Sequence, residues 1–100
     1  MLYYTQLIFI KPGKENEFHA FEDKVLPLIA HHGGELLYRL RPAKDSFIAG
    51  TGELPYEIHL VTFKSVEDFK SYGADPQRLA CIGLKNESVE RVVLIEGRAM

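Results

Sequence analysis

Apolar residues change their spacing several times along the chain, and each change marks an element. Residues 2–10 are rich in Tyr, Thr, Ile and Phe, types that fit a pleated, buried surface. The run is apolar on both faces and ends at the turn signal Lys11-Pro12-Gly13, which predicts a first strand covered on two sides. From Lys14 to His32 the period becomes helical, with Phe18, Phe21, Val25, Leu26 and Ile29 in one stripe. Glu15 and Glu17 in the first turn and His31 and His32 in the last suit the helix dipole. Gly33 and Gly34 supply a left-handed cap, and Pro27 predicts a kink or a division of the helix.

Residues 35–41 alternate, Leu36, Tyr38 and Leu40 against Leu37, Arg39 and Arg41, and predict a second strand. A long loop over 42–55 holds Pro42, Gly50, Gly52 and Pro55. Residues 56–63 give a third strand, with Tyr56, Ile58, Leu60 and Thr62 opposed to Glu57, His59, Val61 and Phe63. Ser65-Val66-Glu67-Asp68 resembles a capping box with Asp at its last position, opening a short helix that stops at Gly73. Asp75-Pro76 starts another helix, since Asp caps well and Pro suits the first helical position. Residues 88–96 form a fourth strand, and a tail follows.

The order β-α-β-β-α-β predicts an α+β ferredoxin-like plait: a four-stranded antiparallel sheet with its helices on one face. At 100 residues the chain makes a single domain over 1–100. The face away from the helices is expected to carry Leu37, Val61, Phe63 and part of the first strand. An apolar patch of that size calls for cover, which predicts a homodimer through the sheet face.

Composition narrows the partners. A net charge of −2 with both signs dispersed gives no basic stripe for nucleic acid. No apolar run approaches the ~18 residues of a membrane span. The first ten residues lack a basic region and a cleavage site, and the single Cys81 has no internal disulfide partner; both features predict a cytoplasmic protein.

Candidate chemistry centres on Glu57 and His59, which lie two apart on one strand and so share a face. Arg39 and Arg41 join them if the second and third strands pair, although the register across the loop is not legible in the sequence. A histidine held by a carboxylate is a general base near neutral pH, with arginine fixing a substrate anion. The same residues equally suit a charged cluster that sets pairing specificity in a dimer interface. Adjacent His31 and His32 point about 100° apart and have no Cys, Asp or Glu at ligand spacing, so no metal is expected; His32 could border a pocket at the end of the first helix. Tyr38 and the other tyrosines offer faces to an aromatic ligand, or simply pack with a wet hydroxyl. Cys81 beside apolar residues reads as structural. Gly50-Thr-Gly-Glu-Leu-Pro departs from a phosphate loop and opens no helix, and no haem, flavin or nicotinamide cofactor is expected.

Lys11-Pro-Gly-Lys-Glu-Asn-Glu-Phe, His31-His-Gly-Gly, Glu57-Ile-His-Leu-Val-Thr-Phe-Lys-Ser and Leu94-Ile-Glu-Gly resemble segments of the dimeric α/β-barrel superfamily. Within it the chain is most similar to a small bacterial family of unknown function related to antibiotic-biosynthesis-type monooxygenases. The resemblance covers nearly the whole chain. It implies a homodimer whose two sheets close a barrel, with any small ligand between sheet and helices. Two functional readings follow. One is a homodimer that binds a small metabolite or is purely structural. The other is a cofactor-independent monooxygenase or isomerase for an aromatic or acidic metabolite, with His59 as base, Glu57 beside it, and Arg39, Tyr38 and His32 as substrate contacts. The second requires a closed, partly polar pocket containing both His59 and Arg39.

Overall fold

A computed structural model describes residues 1–100. Strand β1 (Leu2–Ile10) leads through Gly13, whose φ is 79°, into helix α1 (Glu15–Val25), a 3-10 helix (Leu26–His32) and strand β2 (Gly34–Leu40). After the long loop come β3 (Glu57–Phe63), three short helices α2 (Val66–Gly73), α3 (Pro76–Leu79) and α4 (Ile82–Ser88), and strand β4 (Val89–Gly97). The sheet order is β2-β3-β1-β4 with every neighbouring pair antiparallel. The predicted α+β plait is thus the observed one.

Local chemistry accounts for the joints. The α-helix gives way to the 3-10 helix at Pro27, which brings no N–H to an i−4 carbonyl. Gly33 ends that helix at φ 70°, as its lack of a Cβ permits. Gly34 instead begins β2, and a Cβ there would stand 2.6 Å from the Phe63 ring. Ser65 caps α2, accepting from Asp68 N at 3.1 Å, and Asp75 caps α3, accepting from Gln77 N at 2.7 Å. The sequence pattern joined α3 and α4; Cys81 instead stands as the N-cap of α4, half-buried.

The core lies between helices and sheet: Leu2, Tyr4, Leu28, Ile29, Val61, Phe63 and Tyr72, with Phe69 stacked on Tyr4 at 4.1 Å. This corrects the expected facing of β3. Val61 and Phe63 are 3% and 0% exposed beneath the helices, not on the outer face. Both faces of β3 are apolar, so a period of two could not say which one looks inward. The outer face carries Ile58 and Leu60, with Leu7 on β1 and Val93 and Ile95 on β4, all sharing the opposite parity by register.

Strand β2 holds the second correction. Its pairing with β3 shifts between Leu36 and Tyr38, leaving Leu37 as an extra residue in a bulge. Leu36 pairs with Val61 and packs on the core, whereas Tyr38 pairs with Leu60. Beyond the bulge Tyr38 and Leu40 therefore face outward, and Arg39 and Arg41 turn to the side of Glu57. The simple alternation had placed Leu36 and Tyr38 together.

Candidate functional site: a carboxylate enclosed by two arginines

Glu57, the first residue of β3, has no exposed surface. Its Oε1 accepts from Arg39 Nε at 2.8 Å and from His59 Nε2 at 2.7 Å. Its Oε2 accepts from Arg41 Nε at 2.5 Å and Arg39 Nη2 at 3.2 Å. The bulge makes this possible, because it sets Arg39 opposite His59 in the register. Burial alone would raise the carboxyl, but hydrogen bonds from His59, Arg39 and Arg41 outweigh it and hold Glu57 at about 2. The hydrogen bond to Glu57 likewise raises Arg39. Glu57 is therefore an anion at neutral pH, with all its acceptor positions engaged.

His59 is 2% exposed. Its Nε2 meets Glu57, and its Nδ1 faces Glu22 Oε2 of α1 at 4.0 Å. Glu22 is buried as well; desolvation raises its carboxyl, against the opposing pull of His59 and Arg39. A small, partly enclosed cavity of about 30 Å³ lies beside them, where Gln6, Glu22, His59 and Tyr72 interrupt an apolar wall. It has room for water but not for a metabolite, and Arg39 does not line it.

Larger spaces open on the solvent side of the arginines. One cleft of about 310 Å³ is lined by Arg39, Leu40, Arg41 and Glu57. Another of about 300 Å³ is lined by Phe9, Ile10, Arg41, Pro42, Glu53, Leu54, Pro55 and Tyr56. They share Arg41, whose side chain is 49% exposed and whose guanidinium stands 5.5 Å from the centre of the Tyr56 ring. Two guanidinium groups face the Glu57 carboxylate here, and the buried Glu22 carboxyl also acts on Arg39. Arg91 bridges to Glu53 at 3.1 Å on the rim and lies over Phe9 at 3.7 Å.

The structure thus brings Glu57, His59, Arg39 and Arg41 together and leaves two expected partners elsewhere. Tyr38 is on the opposite side of the sheet, 59% exposed. His32 ends the 3-10 helix, its Nδ1 2.9 Å from Ser71 Oγ and its Nε2 2.6 Å from Asp75 Oδ2. The bond to His32 and the Gln77 N–H keep the Asp75 carboxyl below its ordinary range. That group ties the 3-10 helix to α2 and the start of α3. Sequence reasoning passed over Glu22. The signal for Glu22 was present: it falls beside Phe18, Phe21 and Val25 on the buried face of α1, a charged residue inside an apolar stripe.

No protein-family model and no curated protein sequence matches the chain. Solved structures do. A protein of unknown function from Rhodopseudomonas palustris superposes with a TM-score of 0.80 at 16% identity, covering 99% of this chain and 82% of the other. A candidate antibiotic biosynthesis monooxygenase from Nitrosomonas europaea gives 0.76 at 11% identity, covering 100% and 99%. A dimeric protein of unknown function and ferredoxin-like fold from Bacteroides fragilis gives 0.66 at 14% identity, covering 98% and 95%. Identities this low speak for architecture alone. The chain has the ferredoxin-like fold that these proteins share.

Proposed function

We propose that this protein is a homodimer that binds a small organic anion bearing an apolar or aromatic part, with Arg41 as the principal anion contact and Arg39 beside it. The observation that carries the reading is the state of Arg41. Its Nε donates to Glu57, its terminal nitrogens make no hydrogen bond within the chain, and the residue lines both clefts. Such a fork matches a carboxylate in bidentate fashion, and Phe9, Pro42, Leu54 and Tyr56 supply an apolar wall beside it. Glu57 and His59 act here as positioning groups. Glu57 is saturated with donors, and His59, 2% exposed between two carboxylates, lines neither cleft. Tyr38 belongs to the outer sheet face, where with Leu40, Val93 and Ile95 it remains 38–59% exposed in a single chain. Covering that face with a second copy supports the dimer.

Titration with benzoate, followed by chemical-shift changes in the protein, tests the binding site. Saturable shifts at Arg41 and Tyr56 with a Kd on the order of 1 mM are expected for so small a ligand. The uncharged benzamide should bind at least tenfold more weakly, as should benzoate to Arg41→Gln. Equal shifts with benzamide, or benzoate binding unaffected in Arg41→Gln, would refute the anion site.

A further inference from the structure

One contact of the cleft residue Tyr56, made behind the wall, plays no part in the anion site. The Tyr56 hydroxyl lies 2.6 Å from His19 Nε2, and the two rings stack at 5.8 Å with 27° between their planes. Phe18 meets Tyr56 edge-on at 5.7 Å, and Arg41 lies over its ring at 5.5 Å. The phenol is thus held by α1 from within, while Tyr56 lines the same cleft as Arg41. Its hydroxyl makes no other hydrogen bond in the chain. His19 is half-buried, and no hydrogen bond within the chain engages the second nitrogen of its ring. A phenol linked to an imidazole in this way moves a proton in two short steps.

We propose that Tyr56 is a catalytic residue for keto–enol interconversion of 2-oxo acids, with His19 as its proton reservoir. The proposal rests on the anion site above, since Arg41 must hold the carboxylate of the acid. In the forward step the Tyr56 oxygen takes a proton from the carbon next to the carbonyl while its own proton passes to His19 Nε2. The C–H electron pair becomes the carbon–carbon double bond, and the carbonyl π pair moves onto oxygen, giving an enolate. The negative charge develops beside the carboxylate, within reach of the Arg41 guanidinium, which stabilises it electrostatically. Return of a proton from His19 through Tyr56, to carbon or to oxygen, gives the keto acid or its enol. No oxidant, reductant or further reactant is consumed.

Phenylpyruvate in D2O is the probe, because it combines a carboxylate, a ketone, an aromatic ring and exchangeable protons at one carbon. Binding is read from protein chemical shifts and exchange from loss of the ligand's methylene proton signal. The wild-type protein is expected to accelerate exchange about 100-fold or more over buffer. Tyr56→Phe should bind phenylpyruvate as before and exchange it at the buffer rate. His19→Ala should lose exchange in the same way, and added imidazole should restore part of it, which a packing role for His19 would not allow. Should Tyr56→Phe fail to fold by circular dichroism, the His19→Ala result and its rescue decide. Wild-type binding without exchange, or full exchange in either variant, would overturn the relay and leave the anion site standing. Absence of binding by the wild type would overturn both.

Discussion

At Glu57, a residue without solvent contact carries a full charge because two guanidinium groups and an imidazole surround it. Its carboxyl sits at about 2, below an ordinary value of 4.5, so it binds protons less readily in the folded chain than in the unfolded one. The stabilisation is complete above about pH 4.5 and is lost as pH falls toward 2. At roughly 1.4 kcal/mol per unit this amounts to about 3 kcal/mol, visible as a steep fall in denaturation midpoint over that window. Replacing Glu57 with Gln should destabilise the protein at pH 7 by about 3–5 kcal/mol and flatten the acid limb, since two arginines lose their counter-charge. Glu22 has the opposite sign. Its carboxyl is raised by burial, so its contribution holds below its unfolded value and is lost as pH rises through the folded one. Glu22→Gln should therefore raise the denaturation midpoint at pH 7, and a lower midpoint would show that its charge is needed. The partnership of Glu57 with His59 was legible in the sequence, because a spacing of two on a strand leaves no freedom. That of Arg39 was not, because it depends on a bulge.

That bulge, at Leu37, is an element-scale decision. One inserted residue sends Tyr38 and Leu40 outward and Arg39 and Arg41 inward, which assembles the charged corner and adds to the apolar outer face in one step. Alternation in 35–41 is satisfied by either facing, so nothing in the pattern announces it. The helix boundaries were better marked, because Pro27, Gly33, Ser65 and Asp75 each act locally. Gly34, at the start of β2, is a different case. Its φ needs no glycine, but a methyl group would meet the Phe63 ring at 2.6 Å and Ile29 at 2.8 Å. Gly34→Ala should cost about 1–3 kcal/mol by overpacking, whereas Ser65→Ala should cost about 1 kcal/mol through loss of the cap; urea denaturation of the two variants compares them directly.

For the whole molecule the governing feature is a sheet with apolar residues on both faces and helices on one. This was legible in the strands even though the two faces of β3 were exchanged: Ile58 and Leu60, not Val61 and Phe63, look away from the helices. A period of two identifies the sets of residues, and only the packing of Phe63 against Tyr4, Phe69 and Tyr72 settles which set is inside. An exposed Leu40, Val93 and Ile95 on one chain is the physical reason for proposing a twin. Replacing Leu60 with Lys, at the middle of the outer face, should yield a folded monomer. Sedimentation velocity of the wild-type protein at low micromolar concentration is the most direct measurement. A single species of twice the 11.4 kDa chain mass is predicted, and a monodisperse species of one chain mass persisting to high concentration would contradict the account.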